Sequence, residues 1–221
     1  MKVLLFLLLF FFVRADAQSA GLPVSAYKGS PASKTLFFYI SGDGGLNNFF
    51  SWTFVQQFRQ YGVPIVGMSS KSYFWSKKTP EQAANDIGNV INAYLKKWNC
   101  QDFVLIGYSF GADVVPFIQR RFSSGLASHT KRIILMSPSQ KTDFEIHLLS
   151  SIGLYPTKGL NVVTEINKLT VPTTLIFGKK EKELPVESIT AKTVKTIKVP
   201  GGHHYQWNVT EVVKQIINAV K

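Results

Sequence analysis

Val104-Leu105-Ile106-Gly107-Tyr108-Ser109-Phe110-Gly111 is an apolar run that breaks into Gly-x-Ser-x-Gly ahead of a helical pattern. Such a run reads as a buried strand, and the pentapeptide after it as a nucleophile elbow. Glycine has no Cβ, so Gly107 and Gly111 would let strand and helix crowd the turn and hold Ser109 strained, with its hydroxyl at the sheet's carboxyl edge. The amide of Phe110 would then face an oxyanion formed on that serine.

The neighbouring segments fit the same architecture. Thr35 to Ile40, Ile65 to Met68, Arg132 to Met136, Pro172 to Phe177 and Thr193 to Val199 read as strands. Helices are expected from Asn47 or Asn48 to Tyr61, from Thr79 to about Trp98, from Phe110 to about Phe122, and from Thr210 to Val220. Thr79-Pro80-Glu81-Gln82 has the N-cap, first-position proline and third-position glutamine of a capping box. Alternating strands and helices predict an α/β fold with a mostly parallel sheet and helices on both faces, the α/β-hydrolase arrangement. Ser137 to Thr170 breaks the alternation and reads as an insertion over the active site. The chain divides into residues 1–17, a flexible tail at 18–33 and one domain at 34–221.

Met1-Lys2, the apolar run Val3 to Val13 and Ala15-Asp16-Ala17 have the charge, core and small-residue cleavage site of a secretory signal peptide. This predicts an exported, periplasmic protein. Cys100 is the only cysteine, which excludes an internal disulfide. The formal charge is +12, a balance that favours anionic surfaces, in particular an anionic membrane. The lysines are scattered and no recognition motif is present, so nucleic acid is not the expected partner.

Acyl transfer by serine needs a base within hydrogen-bond reach and an acid to orient it. After Ser109 come Glu181 and His203-His204, in the serine, acid, histidine order of α/β-hydrolases. His204 is favoured as the base because such enzymes often place it just before an aromatic residue, here Tyr205, and His203 is the alternative. Glu181 follows strand Leu175 to Gly178 and is favoured as the acid over Glu183. Ser41-Gly42-Asp43-Gly44-Gly45 ends the Thr35 strand, and the Asp43 amide is the candidate second oxyanion donor. Asp143, Glu145 and His147 alternate and would share a face if extended. They read as a polar strand face, so no metal is assigned, and no cofactor is expected. Asn208-Val209-Thr210 matches a glycosylation sequon and equally an N-cap for the last helix.

Together these stretches resemble the bacterial virulence protein VirJ/AcvB family, exported α/β-hydrolase-like proteins linked to lysyl-phosphatidylglycerol hydrolysis. The resemblance rests on Ser41 to Gly45, Tyr73 to Ser76 with Thr79 to Ala84, Gly107 to Pro116, Asp143 to His147 and Pro200 to His204. It implies a serine esterase whose substrate is the aminoacyl ester of a membrane lipid. Carboxylates near the pocket would then meet the lysyl ammonium, with Asp43, Asp143 and Glu145 as candidates. A non-catalytic binding component associated with an envelope secretion apparatus, or a carboxylesterase of broad specificity, would keep the same fold.

Overall fold

The computed structural model describes residues 21–147 and 159–220. The leader therefore lies outside the described residues, as does the middle of the insertion. Seven strands form the main sheet: β1 (Val24–Tyr27), β2 (Thr35–Ile40), β3 (Ile65–Met68), β4 (Asp102–Tyr108), β5 (Thr130–Met136), β8 (Thr173–Gly178) and β9 (Val194–Val199), in the order β1-β3-β2-β4-β5-β8-β9. Every pairing is parallel except that of β1 with β3.

Strand alternation sorts the core into two layers. In β4, Phe103 and Leu105 join one cluster, while Val104, Ile106 and Tyr108 join the other. The first layer takes α3 (Pro80–Trp98) and α4 (Phe110–Gln119), and the second takes α1 (Phe49–Gln60) and α7 (Val209–Val220). Phe50, Phe54 and Phe58 recur along one face of α1, are fully or almost fully buried, and pack on Tyr108, Tyr39 and Phe37 respectively. Their burial against β2 and β4 contributes roughly 1.5–3 kcal/mol per side chain.

The capping box is present: Thr79 Oγ1 accepts from the Gln82 amide at 3.1 Å, and Gln82 Oε1 accepts from the Thr79 amide at 2.9 Å. Asn48 caps α1 by accepting from the Ser51 amide, and Asn208 accepts from the Glu211 amide at the start of α7.

One feature differs from the expectation. The 18–33 stretch is not all tail, because Val24–Tyr27 adds an antiparallel edge strand to β3. Between β3 and α3 lies the short helix α2 (Ser70–Tyr73). The described part of the insertion carries a two-stranded ribbon, β6 (Lys141–Thr142) with β7 (Leu160–Asn161), followed by α6 (Val162–Ile166). A short helix α5 (Ser124–Ala127) precedes β5. Among the described residues no helix is long and apolar enough to cross a membrane.

Candidate active site

Ser109 sits between β4 and α4 with φ 52° and ψ −120°. For a residue with a side chain this conformation costs on the order of 1–3 kcal/mol, and the packing around it sustains that cost. The glycines explain how. A Cβ added to Gly107 would run into the Gly111 carbonyl, and one added to Gly111 would run into that of Ile40. Strand, turn and helix are therefore closer here than any other residue type permits.

His203 Nε2 lies 2.9 Å from Ser109 Oγ. The histidine beside the serine is therefore His203, one residue before the expected His204. The reason is the turn after β9: Gly201 has φ 101°, and the Tyr205 amide bonds back to the Gly202 carbonyl at 2.8 Å. This turn directs His203 inward and leaves His204 exposed. His204 stacks on Trp207 at 4.7 Å, and its Nδ1 pairs with the Tyr108 hydroxyl at 2.7 Å.

Glu181 faces His203 Nδ1 at 3.4 Å with a side chain only 4% exposed. Its other oxygen accepts from the Gly178 amide at 2.6 Å and the Ser137 hydroxyl at 2.8 Å, so the end of β8 and the residue just past β5 fix the carboxylate. Glu183 faces the same nitrogen at 3.6 Å but is 61% exposed, which makes it the weaker orienting partner. Burial alone would lower the His203 pKa, but the Glu181 carboxylate beside Nδ1, followed by the charges of Glu183 and Asp113, carries it above the ordinary histidine value. His204 moves the other way, through burial first and then the charge of its neighbour.

Gly42, in the loop after β2, packs against Ser109 and Tyr108, and it leaves room there for a Cβ in ordinary contact and little more. Asp43 follows it, exposed at the rim of the same cavity. Phe110 opens α4, and its amide is among the first-turn N–H groups that lack an intrahelical acceptor. The two expected oxyanion residues thus line the same cavity as the serine.

The cavity around Ser109 has a volume of about 680 Å³ and also takes in Asp143, Glu145 and His147 from the insertion. These three are brought together, although not on a flat strand. Phe144, φ 62°, turns its ring into the core against Phe74 and Phe117, and His147 Nε2 closes back on Asp143 Oδ2 at 2.6 Å. The ligand-type atoms of Asp143, Glu145 and His147 lie within 4.8 Å of one another, as do those of Glu181, Glu183 and His203. In the second group His203 is committed to Ser109.

Four residues of the site were not anticipated. Ser137 and Tyr205 share a buried hydrogen bond beneath Glu181, and the Tyr205 hydroxyl also donates to the Ile176 carbonyl. Asp113, one helical turn beyond Ser109, is buried and accepts from the amide and hydroxyl of Ser139 at 2.6 and 2.9 Å. Burial raises its pKa to about 7, against the opposing hydrogen bonds from Ser139. Only Asp113 carried a sequence signal, since its spacing of four from Ser109 puts it on the same helix face.

Solved structures share this arrangement of elements. A lipase-esterase related protein from Clostridium acetobutylicum is 15% identical, with 89% of this chain and 98% of that chain covered and a TM-score of 0.61. Est1E from Butyrivibrio proteoclasticus, solved with ferulic acid, is 20% identical, with coverage of 90% and 95% and a TM-score of 0.58. A protein of unknown function from Agrobacterium tumefaciens is 18% identical, with coverage of 93% and 100% and a TM-score of 0.57. At these identities the likeness establishes the α/β-hydrolase fold. No curated protein matches the chain in sequence. The profile of the bacterial virulence protein VirJ matches residues 34–221, nearly the whole chain beyond the leader and tail, and the chain belongs to that family.

Proposed function

We propose that the protein is an exported serine esterase that hydrolyses the aminoacyl ester of lysyl-phosphatidylglycerol through an acyl-enzyme. The observation that carries the reading is the 2.9 Å contact of His203 Nε2 with Ser109 Oγ, in a cavity that also holds Asp143 and Glu145. In this reaction His203 takes the proton of Ser109 as the hydroxyl oxygen bonds to the ester carbonyl carbon. The amides of Phe110 and Asp43 hold the oxyanion. Collapse of the tetrahedral intermediate breaks the bond to the glycerol oxygen, which receives the proton from His203. Water then attacks the lysyl-enzyme with His203 again as base, releasing lysine and regenerating Ser109.

The substrate assignment follows from charge. A lysyl ester presents two ammonium groups, and a basic protein must supply local carboxylates to hold them. Asp143 and Glu145 supply them at the cavity wall.

Incubating the exported protein with vesicles containing lysyl-phosphatidylglycerol, and separately with neutral short-chain esters, tests this. Release of lysine in preference to cleavage of the short esters is the expected result. Preferential cleavage of the short esters would instead make it a broad-specificity carboxylesterase. Failure to cleave either would favour a binding component of an envelope secretion apparatus.

A further inference from the structure

Two large aromatic side chains stand exposed at the mouth of the Ser109 cavity, and a third stands exposed one turn further along α1. Phe49, the first residue of α1, is 63% exposed, Trp52 is 57% and Trp207 is 53%. Phe49 and Trp207 meet edge to face with centroids 5.8 Å apart, and both line the cavity. Trp52 lies three residues beyond Phe49 on α1 and so borders it on the helix surface. Phe49 and Trp207 thus make an apolar rim from two distant parts of the chain, and the helix spacing extends it toward Trp52. A clustered exposed patch of this kind marks an interaction surface more often than a scattered apolar residue does.

The backbone under Trp207 strengthens the point. Tyr205, Gln206 and Trp207 have φ of 52°, 53° and 61°, three successive left-handed residues with side chains. Each is unfavourable, and the turn is anchored by the buried Tyr205 ring while Trp207 is held outward.

Basic side chains gather in the segments that follow the strands at the sheet's carboxyl edge, where the cavity opens. Lys71 stands against Gly45 in the loop after β2, Lys141 lies at the cavity wall, and Lys179, Lys180 and Lys182 are exposed along the loop that carries Glu181. Glu183 and Asp43 are acidic exceptions at the rim, and Asp143 and Glu145 lie within the cavity. The whole chain carries +12.

We propose that this rim docks the open cavity onto an anionic bilayer, with Phe49, Trp52 and Trp207 entering the headgroup layer and the lysines meeting lipid phosphates. Indole rings favour that layer because one part of the ring is apolar and the N–H can remain wet. Surface lysines beside them add attraction to anionic lipid within a Debye length. The proposal rests on reading the cavity as the site of a lipid esterase, and it explains how an ester held at a membrane surface would reach Ser109.

The test measures partition of the exported protein to vesicles of phosphatidylcholine, with and without phosphatidylglycerol, by co-sedimentation and tryptophan emission. No lysyl lipid is present, so docking and catalysis are read separately. The wild type should bind vesicles containing phosphatidylglycerol, with a blue-shifted emission and with binding that weakens as salt rises. Trp52→Ala should lower that partition by about tenfold, while its rate on a soluble short-chain ester stays at the wild-type level, since Trp52 does not line the cavity. Binding that is no stronger with phosphatidylglycerol than without it would overturn the proposal, as would unchanged binding by Trp52→Ala. Concentration-dependent dimerisation that Trp52→Ala abolishes, without vesicle binding, would assign the rim to a second copy of the chain and equally overturn it. Vesicle binding without hydrolysis of any ester would uphold docking while removing the catalytic reading.

Discussion

His203, in the turn after β9, reaches Ser109 at the end of β4, its Nε2 2.9 Å from the serine oxygen although the two lie 94 positions apart in sequence. The adjacent imidazole of His204 points to Tyr108. His203→Ala should therefore lower kcat/KM by at least about 10⁴-fold, in keeping with the loss of a base that works as a unit with its serine. His204→Ala should cost less than about tenfold, because the Tyr108 hydroxyl keeps the His203 carbonyl as an acceptor at 3.2 Å. Steady-state kinetics on one soluble ester ranks the two variants.

Glu181→Gln separates charge from shape. The Gly178 amide would hold the remaining carbonyl oxygen in place, turning the NH₂ group toward His203 Nδ1, where a donor meets a donor. A loss of about 10² to 10⁴ in kcat follows. The pH profile carries a second signature. His203 must be neutral to act as base and its pKa is raised in the wild type, so kcat/KM should rise with pH through a midpoint above about 6.5. Removing the negative charge of Glu181 takes away the largest influence that raises the pKa, so the midpoint should move to lower pH.

Asp113 makes a stability prediction. Its folded pKa, raised to about 7, exceeds the unfolded value of about 3.9. Between those values the folded chain keeps a proton that the unfolded chain has lost, so this group's contribution to stability falls as pH rises from about 4 to about 7. Asp113→Asn removes that penalty and retains the geometry. Its oxygen can accept from the Ser139 amide and its NH₂ can donate to the Ser139 hydroxyl, which already has the Lys141 carbonyl as an acceptor at 3.0 Å. Denaturant melts at pH 8 should show the variant more stable by about 1–3 kcal/mol, with the gain shrinking toward pH 4.

The insertion acids should act on substrate choice. Glu145→Gln and Asp143→Asn are expected to reduce hydrolysis of a lysyl ester by about 10-fold or more, and that of a neutral short-chain ester far less. Asp143→Asn also disturbs the pairing with His147, so Glu145→Gln is the cleaner comparison. Equal losses on both esters would make these acids structural.

The elbow was legible because its signals are local: an apolar run ended by glycines, then a helical pattern, all within the stretch from Asp102 to Gln119. The capping box at Thr79 was legible for the same reason. The choice between His203 and His204 was not, since it depends on the direction of a turn anchored by Tyr205 on Ser137 and Ile176, partners from other strands. Val24–Tyr27 was passed over because four residues interrupted by Ser25 have little pattern of their own. The strand exists through its pairing with β3 and the bond from the Ser69 amide to the Pro23 carbonyl. Asp113 likewise takes its burial and its partner from Ser139, on another segment, and sequence spacing supplies neither.

The central claim is that Ser109 is the nucleophile, and reaction of the folded protein with a fluorophosphonate, followed by peptide mapping, tests it most directly. The account predicts a single covalent adduct on Ser109, slowed strongly in His203→Ala and absent in Ser109→Ala. A folded wild-type protein that stays unlabelled, or an adduct that persists in Ser109→Ala, would contradict it.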